Sequence, residues 1–597
     1  MKTAIFAGKI TPLQKSKFNP FPSVEVGGDF KVQEGWKTIT AKLIEDVSLI
    51  RKDKTIIVVE YYPGVLVNEV TTELVTGLKP ILTLQSGDFM WPEMTIREIV
   101  YPDVTDDRIF GHLTGLTLDA FFNPDEMERA ASETASARSG IVLVVGTGAS
   151  LICTNYDILV YADMARWEIQ LRMRRHEVDN LGVFNRNTTD WMLLYKQGYF
   201  VDWRVCDRWK KTLMDRWDYL LDTNIRNQPK LVSGKAVIQG LKQCLTRPFS
   251  VVPFFDPGPW GGQWMKENCN LDPAVENYAW CFNCVPEENS LLLKFSDTTI
   301  EIPSIDLVFF DPTKLLGKEV YERFGAEFPI RFDYLDTMDG GNLSLQVHPL
   351  TGYIREKFGM EYTQDESYYM MDAGPGAIVY LGLKSGVDPG RMIAYLTLAQ
   401  EGETPFKAEN HVQTWPAKKH DHFLIPGGTV HCSGKNCMVL EISSTPYIFT
   451  FKLWDWGRLG MDGRPRPINI GHGKNNIQWN RTTEWTWQNL VNRFEKVEEG
   501  EGWLEERTGL HELEFIETRR HWFTVRTQHH TRGGVNVICL VEGREVIVES
   551  PEHAFAPFKV HYAETFIVPA SVGSYTISPH GESYGKPCAT MKAYVRT

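Results

Sequence analysis

In the stretch Asn342-Leu343-Ser344-Leu345-Gln346-Val347-His348-Pro349, two side chains with metal-binding atoms, Gln346 and His348, stand two positions apart. On an extended chain both point to one face, while Leu345 and Val347 point to the other, into a core. A third donor, Glu366, opens the aromatic, strand-like run Asp365-Glu366-Ser367-Tyr368-Tyr369-Met370-Met371. A fourth, His431, follows the turn Pro426-Gly427-Gly428 that separates two apolar strands. Imidazole, carboxylate and amide oxygen together suit a divalent ion, and a single anionic ligand leaves positive charge to polarise a substrate oxygen. The pattern is that of a catalytic site with an open position rather than a closed structural site.

These residues and their flanks carry a resemblance. The stretches 342–349, 366–373, 376–382 and 425–441 resemble the motifs of type I mannose-6-phosphate isomerases, zinc enzymes built on cupin barrels. Trp454-Asp455-Trp456-Gly457-Arg458 and Trp260-Gly261-Gly262 resemble further motifs of bacterial members, and the likeness covers about residues 250–597. It implies one zinc ion per chain on Gln346, His348, Glu366 and His431, with a sugar or sugar phosphate as the partner. It also implies an aldose–ketose isomerisation of mannose 6-phosphate and fructose 6-phosphate, or of a related sugar, with Glu441, Lys452 and Arg458 as the catalytic and anion-binding set. Two positions depart from the family. Lys452 stands where an arginine is usual, giving a point charge in place of a bidentate fork, and Gln364 stands where a lysine is frequent.

Around this site the sequence lays out a multidomain chain. Short strands at 278–283, 290–295 and 298–302 argue for an all-β jelly-roll or cupin barrel over 248–460, with a helical inset at 312–330. After a Gly- and Pro-rich linker, further strands read as a second cupin barrel within 461–597, where His521, His529, His530 and His553 are expected on the surface. Residues 1–50, with Pro12, Pro20, Pro22 and Gly27-Gly28, read as an irregular arm. Between them, 51–247 reads as an α/β layer domain: Lys54–Glu60, Gly140–Gly146 and Asp157–Asp163 are apolar strands alternating with helices. Asp163 ahead of an arginine-rich helix resembles nucleoside kinases of the uridine kinase type, P-loop proteins. A working phosphate loop needs a lysine and a hydroxyl, and Glu60-Tyr61-Tyr62-Pro63-Gly64-Val65-Leu66-Val67 has neither. A kinase-like scaffold without phosphoryl transfer is therefore expected.

Composition narrows the partners. With a net charge of −13 over 597 residues, a general nucleic-acid binder is disfavoured. The first nine residues lack the apolar core of a secretory signal, and no apolar run approaches the ~20 residues of a membrane span. Ten dispersed cysteines fit free thiols, so a cytoplasmic protein without membrane contact is expected. Two other readings remain open: a sugar-sensing cupin protein without turnover, and a cupin of another class, an epimerase or oxygenase.

Overall fold

The computed structural model describes residues 16–444, 449–459, 466, 468–509, 511 and 513–597. Pro12, Gly460 and the first nine residues therefore lie outside the described residues.

Residues 33–233 build a seven-stranded sheet. From one edge its strands are Gln33–Glu34, Lys230–Ser233, Tyr219–Asp222, Ile158–Asp163, Lys54–Tyr61, Gly140–Gly146 and Leu82–Gln85. The last five are mutually parallel. Ile57, Val58, Val59, Leu143, Val144 and Leu159 are fully buried, as strands covered on both faces by helices must be. The expected arm is not irregular to residue 50. Trp36–Ile50 is a helix, because Ile39 and Leu43 recur at helical spacing and bury against the domain, whereas the Pro and Gly signals all precede it. Ser23–Glu25 adds a parallel strand to the hairpin Ser290–Phe295/Thr298–Pro303.

Downstream, the two expected barrels are instead two pairs of open sheets. The first pairs a six-stranded sheet (His422–Ile425, Glu366–Ala373, Cys437–Ser444, Ile330–Asp336, Trp280–Cys284, Phe254–Asp256) with a five-stranded one (Val412–Pro416, Ile378–Leu383, His431–Ser433, Leu345–Val347, Phe451–Trp454). Closure fails because consecutive strands Val412–Pro416 and His422–Ile425 change sheets through a turn in which Lys418 and Asp421 bond each other. No ladder crosses that corner, and a barrel needs one at every edge. The helical inset is present as Ile305–Phe310, Pro312–Leu316 and Lys318–Phe324. The second pair joins a six-stranded sheet that runs from Glu495–Gly500 at one edge, through Ile516–Phe523 and Cys588–Val595, to Thr565–Val568 at the other, to a four-stranded one containing Thr527–His530 and Ser574–Pro579.

The carboxyl edge of the parallel sheet, where open α/β sheets bind ligands, is covered by the first sandwich. Lys210, wholly buried, reaches Asp163 at 2.6 Å and Asp306 of the inset at 2.5 Å. Burial works against its charge, but the two carboxylates outweigh it and raise its pKa. The arginine-rich helix is likewise committed: Arg166 to Asp207, Arg172 to the carbonyls of Gly64, Thr223 and Asn224, and Arg174 to Asp256 across the domain boundary. At the glycine turn after Gly140–Gly146, the amides of Gly148 and Ser150 donate to the buried Glu60 carboxylate. All ten cysteines are buried free thiols. Among the described residues no helix is long and apolar enough to cross a membrane.

Candidate metal centre

The four predicted donors come together between the facing sheets of the first sandwich. Gln346 pairs with His431 on one side and with Lys452 on the other. Directly opposed residues point to the same face, so one row carries Lys452, Gln346 and His431 inward. His348, two positions on, joins them. The opposite sheet supplies Glu366, whose oxygens lie 3.0 Å from His348 Nε2 and 2.8 Å from His431 Nε2. The Gln346 side-chain nitrogen donates to His431 Nε2 at 3.2 Å, so its oxygen, the atom able to bind a metal, would face the cluster with the amide turned over. His348, Glu366 and His431 are 1%, 1% and 0% exposed, and they form the one group of three such metal-binding side chains found among the described residues.

The hydrogen bonding around this cluster tests whether it suits a cation. His348 Nδ1 lies 3.1 Å from the Phe449 carbonyl and His431 Nδ1 lies 2.8 Å from the Thr429 carbonyl. A carbonyl can only accept, so each Nδ1 carries the proton and each Nε2 presents a lone pair. Those lone pairs face a carboxylate, which also only accepts. His348 Nε2 and Glu366 Oε1 are accordingly buried without a hydrogen-bond partner. Converging buried acceptors are costly unless a cation lies among them, and a backbone carbonyl on the far ring nitrogen is the usual support of a metal-binding histidine. The donor set fits zinc.

Glu366 responds to the same field. Burial alone would raise its pKa, whereas His348 and His431, when each also carries a proton on Nε2 in the absence of a cation, hold it well below the ordinary carboxylate range. Beside it lies a second buried group that sequence reading missed. Arg331 Nη2 donates to Asp333 at 2.9 Å and Nη1 lies 3.3 Å from Glu441. Burial, reinforced by neighbouring carboxylates, pushes Glu441 well above its ordinary value and Asp333 up to about 7. The alternation Arg331-x-Asp333 inside a wholly buried strand was the available signal, since charges at a period of two in an apolar run share one face.

The remaining predicted residues separate. Glu441 stays near the centre: the Gln364 amide donates to Glu366 at 2.9 Å and approaches Glu441 at 3.4 Å. Lys452 is half-buried, and burial, with Arg466 and Arg458 adding to it, lowers its pKa. Arg458 is committed elsewhere, to Asp455 at 2.7 Å and to the Asn342 carbonyl. Arg481, also unforeseen, holds the turn before His431 by donating to the carbonyls of Pro426 and Gly427.

Residues 35–246 match a family described only as a domain of unknown function (DUF8485). A segment of the chain is 28% identical over 216 residues to mannose-6-phosphate isomerase of Streptococcus mutans, covering 35% of this chain and 61% of that protein. Mannose-6-phosphate isomerase ManA of Bacillus subtilis is 27% identical over 146 residues, 24% of this chain and 43% of the relative. The chain thus spans about three-fifths of the Streptococcus relative's length. Among solved structures, mannose 6-phosphate isomerase from Bacillus subtilis aligns with a TM-score of 0.47 at 18% identity, over 58% of this chain and 99% of that one. A putative mannosephosphate isomerase from Archaeoglobus fulgidus aligns with a TM-score of 0.43 at 17% identity, over 59% and 98%. By sequence, one segment of the chain is homologous to mannose-6-phosphate isomerases, and residues 35–246 match a family without a described function.

Proposed function

We propose that the protein is a zinc-dependent aldose–ketose isomerase acting on mannose 6-phosphate and fructose 6-phosphate or a closely related sugar. The observation that carries this reading is the convergence of the His348, His431 and Glu366 acceptors, with both Nδ1 protons fixed by backbone carbonyls. His348, His431, Glu366 and the Gln346 amide would hold the ion. When bound, zinc supplies Lewis-acid polarisation of the two substrate oxygens between which the isomerisation runs.

The chain's own residues supply the rest. Isomerisation moves a proton between neighbouring carbons, so a group able to hold a proton near neutrality is required. Glu441, raised by burial and by Asp333 and Glu366, and partnered by Ser443 and Arg331, is assigned that role. Gln364 orients Glu366 and Glu441. Lys452 is assigned the phosphate, and Arg458, spent on Asp455, the bracing of the strand end that carries Lys452.

We divide the chain at the boundaries read from the sequence, with 248–460 as the catalytic cupin domain, 461–597 as the linker and second cupin unit, and 51–247 as a degenerate kinase-like domain. The five parallel strands and the missing loop lysine support the last assignment. ATP with a nucleoside or a sugar is expected to give no phosphorylated product, and transfer abolished by removing 1–247 would refute it. The central test is turnover of mannose 6-phosphate, followed as fructose 6-phosphate formed by zinc-loaded protein. A chain that holds zinc yet turns over neither sugar phosphate nor free sugar would favour the sugar-sensing reading, which the commitment of Arg458 and Gln364 to protein partners supports.

A further inference from the structure

We propose that the N-terminal domain builds the outer wall of the metal centre, with Phe110 as a positioning residue that acts on His348 through the Phe449 carbonyl. The proposal rests on the reading of His348 as a metal ligand. His348 Nδ1 faces the carbonyl of Phe449, and that contact sets both the tautomer and the plane of the ring. Phe449 lies outside any strand, so no ladder fixes its carbonyl. Packing of its side chain must do so.

Two of the rings around Phe449 come from the N-terminal domain. Phe110 lies nearly parallel to it, 6.0 Å between centroids at 14°, and Phe200 meets it edge-on at 5.9 Å and 69°. Phe358 of the first sandwich closes the cluster at 4.9 Å. Phe110 also stands edge-on to Phe451 at 5.2 Å, and Phe451 is the cross-strand partner of Val347, between Gln346 and His348. One phenylalanine thus bears on the metal-ligand strand by two routes. Phe110 is 1% exposed, and Phe200 and Phe449 are wholly buried.

The loop carrying Phe110 is built to hold this position. The amides of Ile109 and Phe110 both donate to Asp107 at 2.8 Å, and Asp107 in turn lies 3.2 Å from His472 of the other domain. Leu113 donates its amide to the Phe358 carbonyl at 2.9 Å, and Arg208 grips the carbonyls of Thr114 and Leu116. Two of these contacts, Asp107 with His472 and Leu113 with Phe358, cross the domain boundary, which a loop serving only to join two helices would not need.

The test measures zinc affinity of the full chain by competition with a chromophoric chelator, together with the visible absorption spectrum of the cobalt-substituted protein. Phe110→Ala is expected to weaken zinc about tenfold, at the lower end of the 10–100-fold cost of losing an outer-shell support, and to alter the cobalt spectrum. Phe110→Leu, which conserves volume but removes the flat ring, is expected to lose about threefold and keeps the test intact if the alanine variant does not fold. Leu74→Ala, a buried change in the helix Val67–Leu78 of the same domain, is expected to leave both readouts unchanged. Parental affinity and spectrum in the Phe110 variants would overturn the proposal, as would an equal loss in Leu74→Ala. A parent chain that binds no zinc would overturn it together with the metal reading beneath it, whereas zinc binding and isomerisation untouched by Phe110 replacement would sink the wall alone.

Discussion

Each sandwich brings a pair of histidines beside a glutamate, yet only one arranges them as a candidate site. In the first, His348, His431 and Glu366 aim their acceptors at a common point, and backbone carbonyls hold both histidines in the tautomer that leaves Nε2 bare. In the second, His521 Nε2 lies 3.2 Å from Glu505, while His529 Nε2 pairs with the Thr527 hydroxyl. The rings of His521 and His529 pack at 4.7 Å, but neither Nδ1 meets a carbonyl. Burial, and then His521 and Lys592 beside it, drive His529 far below its ordinary pKa. Donor type is therefore not what makes a metal site. The direction of the lone pairs, set by what the opposite ring nitrogen touches, is what distinguishes these two interiors.

The sharpest way to break this contrast is to remove donors from each sandwich in turn. The parent is expected to hold about one zinc per chain, and His348→Ala/His431→Ala to lose more than about 100-fold in affinity, beyond the range for outer-shell changes alone. His521→Ala/His529→Ala should leave the metal content unchanged. Elemental analysis after gel filtration reads both, and full occupancy in the first pair of changes would refute the centre.

The next effect is one of pH, and it belongs to the second sandwich. Burial, with Lys592 adding to it, lowers His521 from 6.5 to about 4. The folded form therefore keeps His521 neutral while the unfolded chain takes up a proton below about 6.5. Stability is complete above that pH and falls as pH drops toward 4. Between pH 6.5 and 5 the loss is on the order of 2 kcal/mol. His521→Asn, which cannot titrate, should lose less of its melting temperature between pH 7.5 and 5 than the parent does. An identical acid response in the two would show that His521 is not held neutral.

How much of this was legible in the sequence follows from which signals are local. The period-two spacing of Gln346 and His348 and the turn before His431 place their side chains without any tertiary knowledge. Glu366 was legible for the same reason, opening an aromatic strand. His521 and His529 were read as surface residues, but both are buried, 4% and 7% exposed. The strand of His521, Ile516–Phe523, is dense in charge (Glu517, Arg519, Arg520), and that of His529, Thr527–His530, is polar throughout, which hides burial from any hydropathy pattern. His530 and His553 are exposed as read. The partners of Arg458 were illegible for a related reason: Asp455 three residues away and the distant Asn342 carbonyl compete for a guanidinium in a way that spacing alone does not reveal. The inserted loop bearing Phe110 was illegible because its contacts lie more than 240 residues downstream.

The smallest effect separates the lysines of the two sandwiches. Lys452 sits opposite Gln346 in the row that also carries His431, half-buried and with its pKa lowered by burial and then by Arg466. Among the described residues its ammonium makes no ion pair, whereas Arg458 and Gln364 are already spent on protein groups. Lys592 sits opposite Arg519 and Ile538, and burial lowers it to about 8 in spite of Glu505 nearby. If Lys452 meets the substrate's phosphate, one charge-assisted contact of about 1.5 kcal/mol should be lost on its removal, roughly tenfold in kcat/KM. Lys452→Met is thus expected to lower kcat/KM for mannose 6-phosphate about tenfold while leaving any turnover of free mannose as it was. Lys592→Met should change neither. Measured side by side at one zinc concentration, equal losses on both sugars in Lys452→Met would remove the phosphate contact from the assignment, because an interaction with phosphate has no counterpart on the unphosphorylated sugar.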